Sequence, residues 1–268
     1  MLAPQYSGAM RITKHCHACL ELEKDGQRLI IDPGFYTEPM GDVQNVVAIV
    51  ITHQHDDHCY AEQVQSIRAN NPDVKIFGPD EVRTKLADHP VTAVHHGDWH
   101  EVGPFTLEFF GDLHQEIHRS LPLVQNTGVM VDDRLYYPGD SYTQPDRPVE
   151  MLACPTSAPW LKIGDVMDFV AAVGPRKSFA THNALLSDHG HALNNGRVKM
   201  VTEAGGGEQA LQLLADKPLR NFRIEVASDS LVQIDEAQNK QDRLEFVQVE
   251  AQGRQLGLLK AGSSASQF

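Results

Sequence analysis

The pattern of apolar and polar positions changes period many times along the chain, and most of it is strand-like. RITKHCHACLELE and QRLIIDPG carry alternating or continuous apolar residues broken at Asp25-Gly26, which predicts two or three short strands. VVAIVIT (46–52) is an uninterrupted apolar, β-branched run and predicts a buried strand. CYAEQVQSIRANNP shifts to a helical period, with Val64 and Ile67 on one face and Asn-Asn-Pro as the stop. DVKIFGPDEVRTKLAD reads as strand, turn and short helix, and VTAVHHGDWHEVGPFTLEFFGD as a strand, a Gly-Asp turn and a second strand. GVMVDDRLYYPGD predicts a hairpin turning at Asp132-Asp133. MLACPTS is a short strand, VMDFVAAVG a helix, and SFATHN a strand ending in a loop. HALNNGRVKMVTEAGGGEQALQLLAD reads as helix with a glycine break, NFRIEVASDSLVQI as a closing hairpin, and LEFVQVE (244–250) as one more strand. Helices interrupting runs of strands predict two sheets with helices outside. No repeat or linker divides the pattern, so one domain over 10–250 is expected, with a flexible leader (1–9) and a flexible tail (251–268).

Composition narrows the picture. The 268 residues suffice to bury a sizeable core. No apolar run approaches the ~18–20 residues that a membrane span needs, and MLAPQYSGAM lacks the basic flank and apolar run of a signal peptide. Four cysteines, Cys16, Cys19, Cys59 and Cys154, do not make a disulfide framework at this length, so free thiols in a cytoplasmic protein are expected. A net charge of −13 disfavours nucleic acid as a partner, because binding polyphosphate needs a basic surface. Assembly into a homo-oligomer is left open. The 14 histidines are numerous and clustered.

The densest cluster is ITHQHDDHCY (51–60), directly after the buried run. An H-x-H step on an extended segment puts two imidazoles on one side, so His53 and His55 can meet one ion. Asp57 and His58 are neighbours that must point apart or wrap around a turn, which suits a second ion beyond the loop. Neutral imidazole and carboxylate are ligands for Zn²⁺, and also for Mn²⁺ or Fe²⁺.

His53-x-His55-x-Asp57-His58 resembles the H-x-H-x-D-H signature of the metallo-β-lactamase superfamily. Further residues match that family's pattern in order: His114 in TLEFFGDLHQEIH, Asp140 in LYYPGDSY and His182 in KSFATHNAL. The opening strands, with His17 and LIIDPG, are similar too, and the resemblance is nearest to the branch containing ascorbate 6-phosphate lactonase. It implies an α/β fold, a four-layer αββα sandwich of two mixed sheets packed face to face. It further implies two divalent cations, one on His53, His55 and His114, the other on Asp57, His58 and His182, with Asp140 bridging. Two dications against a bridging hydroxide and two carboxylates leave a charge of roughly +1, which attracts an anion and stabilises developing negative charge. The implied activity is hydrolysis. A metal-bound hydroxide, oriented by Asp57, attacks an ester, lactone, amide or phosphodiester bond of a small anionic substrate. A phosphodiesterase or nuclease acting on RNA or cyclic nucleotides, and a non-catalytic metal sensor, are the alternatives.

Other residues are weighed around this set. His118, four residues after His114, would share its side on a helical turn and is the candidate proton donor to a leaving group. Trp160 and Lys162, in SAPWLKIGD, are candidates to wall the pocket and to hold a substrate anion. Asp32 either hydrogen-bonds the ligand loop or caps a turn. His17 is a candidate support for the metal loop. Cys16 and Cys19 are read as buried thiols, His95, His96 and His100 as surface or structural, and Ser187 or Asp188 as a helix cap ahead of His189 and His191.

Overall fold

A computed structural model of the chain describes residues 9–209, 222–226 and 231–236. β1 (Met10–Lys14), β2 (Leu20–Lys24) and β3 (Gln27–Ile31) form an antiparallel meander. Asp25 and Gly26 both take positive φ, 51° and 75°, as the tight turn between β2 and β3 requires. β4 (Val46–Val50), β5 (Lys75–Gly78) and β6 (Val91–Ala93) then add in parallel, with α1 (Ala61–Asn70) and α2 (Asp80–Lys85) as the crossovers. The chain changes sheets after β6. β7 (Trp99–Val102), β8 (Phe105–Phe110), β9 (Gly128–Val131) and β10 (Leu135–Tyr137) are antiparallel, and β11 (Met151–Pro155) continues in parallel on β10. α3 (Ile163–Val173), β12 (Lys177–Thr181), α4 (Asp188–Ala204) and β13 (Glu208–Gln209) extend this parallel half. β14 (Phe222–Val226) and β15 (Leu231–Glu236) return to the first sheet beside β1. The sheets therefore run β15-β14-β1-β2-β3-β4-β5-β6 and β13-β12-β11-β10-β9-β8-β7.

Side-chain parity explains the layering. Along β4, Ala48 and Val50 face the second sheet, while Ile49 and Ile51 just beyond it pack under α1 and α2 with Val64, Ile67 and Val82. Along β10, Leu135 and Tyr137 point inward and Tyr136 outward. β11 repeats this, with Met151 and Ala153 inward and Leu152 and Cys154 outward against Val166, Phe169 and Val170 of α3. Strands covered on both faces must be apolar throughout, which is why their sequences do not alternate. The result is the expected four-layer αββα sandwich, an α/β fold with two mixed sheets face to face. Among the described residues no helix is long and apolar enough to cross a membrane.

Two local expectations need correction. Residues 91–110 hold three strands, not two, because the turn near Gly97 carries the chain from one sheet to the other and a second turn at Gly103 makes the β7–β8 hairpin. The expected break at Gly205–Gly207 is the end of α4, followed by a strand. A Cβ on Gly207 would lie 2.4 Å from the Pro175 carbonyl, so only glycine lets the chain turn there. The leader (except its last residue), residues 210–221, the strand expected at 244–250 and the tail lie outside the described residues.

One buried ion pair ties the sheets together at the end of the sandwich where β3 and β10 begin. Lys24 Nζ donates to Asp132 Oδ2 at 2.7 Å and to the Pro104 carbonyl at 2.8 Å, while Asp132 Oδ1 accepts from the Thr106 amide at 2.9 Å. Lys24→Met is expected to lower stability by about 3 kcal/mol, because it strands a buried carboxylate. Adding Asp132→Asn should recover part of the loss. Urea unfolding of the two variants beside the wild type measures both effects.

Candidate metal centre

The candidate residues leave the C-terminal ends of strands along one edge of the sandwich. β3 runs into Asp32, β4 into Thr52-His53, β10 into Asp140 and β12 into His182, while His114 follows β8 and His17 follows β1. After His53 the chain coils through a single turn. The His58 and Cys59 amides both donate to the His55 carbonyl, at 3.0 and 2.8 Å. That turn resolves the choice between pointing apart and wrapping around, since it brings Asp57 and His58 to the same side. Gly34 makes the turn sterically possible: a Cβ there would lie 1.8 Å from the Asp57 carbonyl oxygen. Gly139, at φ 65°, presents Asp140, whose amide donates to Asn126 Oδ1 at 2.9 Å.

The side chains converge in two overlapping groups. The rings of His53, His55 and His114 stand at the corners of a triangle, each pair of centroids 4.8 Å apart. Asp57 Oδ2 lies 3.2 Å from His182 Nε2 and 3.9 Å from His58 Nε2. Asp140 stands between the groups. Its Oδ1 is 3.3 Å from His58 Nε2, and its Oδ2 is 3.4 Å from His114 Nε2 and 3.0 Å from His182 Nε2. His53, His55 and His114 could hold one cation, His17, Asp57, His58 and His182 could surround another, and Asp140 also groups with His53 and His58. Four of the imidazoles are oriented from behind. His58 Nδ1 is 2.6 Å from Asp32 Oδ2, His53 Nδ1 is 3.1 Å from Thr52 Oγ1, and Nδ1 of His114 and of His182 bond the Gln115 and Ser157 carbonyls. With their Nδ1 sides held, the Nε2 atoms of His53, His58, His114 and His182 are buried and, like Asp140 Oδ1, make no hydrogen bond.

Residues 11–182 match a family described as the β-lactamase superfamily domain. The chain belongs to the metallo-β-lactamase superfamily. It is 31% identical to the protein Rv0786c of Mycobacterium tuberculosis over 198 residues, covering 72% of this chain and 93% of that one. It is also 31% identical to a UPF0173 metal-dependent hydrolase of Anoxybacillus flavithermus, over 37% of this chain and 44% of that relative. Among solved structures, the metallo-β-lactamase-fold protein YhfI of Bacillus subtilis superposes with a TM-score of 0.58 at 17% identity, covering 76% of this chain and 95% of that one. This likeness concerns the fold.

In this superfamily member the site polarises itself. Burial and then His58 hold His53 well below its ordinary pKa. Burial also opposes charge on His58, but Asp140, Asp32 and Asp57 outweigh it and raise it well above the usual histidine value. His182 is likewise raised to about 9, its burial overcome by Asp140 and Asp57. Burial would raise Asp140 and Asp57, yet the neighbouring histidines hold both carboxyls well below the usual range. Asp57 and Asp140 thus favour a proton on His58 and His182 but not on His53, and a cation bound at His58 and His182 would take the place of those protons.

The structure sorts the remaining candidates. Asp32 serves the ligand loop: besides His58 it accepts from the Thr52 amide and hydroxyl, both at 2.7 Å. Trp160 joins the site, its Nε1–H donating to Asp140 Oδ2 at 2.9 Å and its ring 5.9 Å from that of His114. Lys162 does not. Its side chain is 79% exposed at the start of α3, with Nζ 3.7 Å from Asp165. His118 fails for a different reason. The segment after His114 is not helical, so the two do not share a side, and the exposed His118 bonds Ser120 instead. Cys16 and Cys19 flank the turn after β1 and all four cysteines are free thiols, with Cys16 half-buried and the others buried. His95 and His96 are exposed, His100 packs near Phe77, and Ser187 caps α4, as expected. Sequence reasoning missed Thr52 and Asn126, since a lone hydroxyl or amide carries no motif. His17, the candidate support, is buried 3.1 Å from Asp57 Oδ2 and, mainly through burial, lowered to a pKa of about 4.

Two outcomes follow for metal binding. A proton on His182 competes with a cation at every pH below about 9, so uptake of Zn²⁺ should release protons and its apparent affinity should weaken on acidification from about pH 8 to about pH 6. Calorimetric titration in buffers of different ionisation enthalpy reads both effects. Gly34→Ala should reduce the bound metal while leaving the far-ultraviolet circular dichroism of the sandwich in place, because the clash falls on the ligand turn alone.

Proposed function

We propose that the chain is a hydrolase that works with two divalent cations, Zn²⁺ in first place and Mn²⁺ or Fe²⁺ as alternatives. The observation that carries this reading is the set of four buried Nε2 atoms and one carboxylate oxygen that converge without hydrogen-bond partners. Buried polar atoms are normally paired, and a cation is the partner that neutral imidazole and carboxylate would share. His53, His55 and His114 would hold one ion, Asp57, His58 and His182 the other, with Asp140 between them. When bound, such ions supply an activated water and polarise a carbonyl or phosphoryl oxygen.

The chain's own groups do the rest. Asp57 would accept a hydrogen bond from the attacking water and so orient it. Trp160 holds Asp140 Oδ2 and, with His114, forms one wall. Phe35 and Tyr36, 59% and 38% exposed, lie beside the other half of the centre, where the Tyr36 ring is 4.9 Å from that of His17. The Phe35 amide donates to the Asp56 carbonyl at 2.8 Å, which ties this pair to the ligand turn. Beside these aromatic rings the substrate we infer is a small anionic ester, lactone, amide or phosphodiester. With Lys162 turned toward Asp165, the cations themselves draw its negative charge. The printed name of the Anoxybacillus relative, a metal-dependent hydrolase, supports the reaction class.

Asp140→Asn and His114→Ala are expected to cut kcat/KM on a lactone and phosphodiester panel by more than about a hundredfold, beyond the usual effect of losing an outer partner. Turnover at the wild-type rate in either variant, with metal supplied, defeats the proposal.

A further inference from the structure

We infer that His17 is a positioning residue for one half of the centre, made of Asp57, His58 and His182, and is not itself a metal ligand. The inference rests on the metal-centre reading above. His17 lies close enough to the three to count as a fourth donor, so its hydrogen bonds decide its role. Its Nδ1 accepts from the Ala184 amide at 3.2 Å. A backbone N–H is always a donor, so Nδ1 carries no hydrogen and the ring hydrogen sits on Nε2. Nε2 is 3.1 Å from Asp57 Oδ2, and it donates there. A nitrogen that carries a hydrogen has no lone pair to offer a cation.

The backbone of His17 does a second job. Its carbonyl accepts from the His182 amide at 2.9 Å. Both residues take left-handed conformations, φ 62° and 55°, rare for a side chain of this size and concentrated at functional sites. Their rings lie 4.0 Å apart. His17 follows β1 in one sheet and His182 follows β12 in the other, so this residue spans the two sheets at the centre's edge. One residue thereby sets the ligand oxygen of Asp57 and the loop that presents His182. His53 and His114 take their support from Thr52 and the Gln115 carbonyl instead. Loss of His17 therefore falls on one ion and spares the other.

The test is a stepwise Zn²⁺ titration against a chromophoric chelator, repeated with Co²⁺ and read by visible absorption. His17→Asn tolerates the left-handed backbone but is too short to reach Asp57, whereas His17→Gln places an amide N–H near the position of Nε2. In His17→Asn one of the two ions should lose about 10- to 100-fold in affinity, with the other ion held within about twofold, and His17→Gln should regain most of the loss. Equal weakening of both ions, or a His17→Gln variant no better than His17→Asn, overturns the inference. A wild-type chain taking up two ions beside an unaltered His17→Asn overturns it alone. A wild-type chain taking up fewer than two ions overturns the metal-centre reading and this inference together.

Discussion

Packing like-charged or like-polar donor atoms together in a dry space is costly unless something shared satisfies them. Here the imidazole Nε2 atoms of His53, His58, His114 and His182 and the Oδ1 of Asp140 are driven together at one edge of the sandwich without hydrogen bonds. The rest of the local structure can be understood as what it takes to hold that arrangement. Rings would turn away if they were free, so each is fixed on its far side by a carboxylate, a hydroxyl or a backbone carbonyl.

The sandwich makes this feasible because its two halves are built alike. Each sheet has a parallel portion whose strands end at the same edge, so the loops that leave them meet across the interface between the sheets. Ligands from the first sheet, His53 to His58, face Asp140 and His182 from the second. The site depends on the spacing and register of both sheets, and groups such as Asp32, Asn126 and His17 transmit that register to the donor atoms. The buried Lys24–Asp132 pair joins the sheets at the other end.

Much of this could be read along the chain. The His53–His58 cluster is local, and its placement after a run such as VVAIV is a feature of sequence alone. Residues that act through a ring's far side were harder to find. Asp32 was visible because it sits in a turn motif, but nothing near Asn126 in sequence points to Asp140, and the two meet only because β9 and β10 pair. His118 and Lys162 show the reverse situation. Proximity in sequence to a ligand placed them at the site, whereas the local backbone turned one toward Ser120 and the other toward Asp165.

The strand-rich, two-sheet plan, the apolar strands covered on both faces, the hairpin turns at Asp25-Gly26 and Asp132-Asp133, and the types of donor available all follow from the order of residues alone. These are properties of periodicity, backbone preference and side-chain chemistry, all of which act over a few residues. Which donors converge, that Asp57 and His58 wrap to one side, that Trp160 reaches Asp140, and that His17 stands behind Asp57 emerge only in the folded chain. Those outcomes depend on distances between segments brought together by sheet register and packing, and no short stretch of chain contains that information.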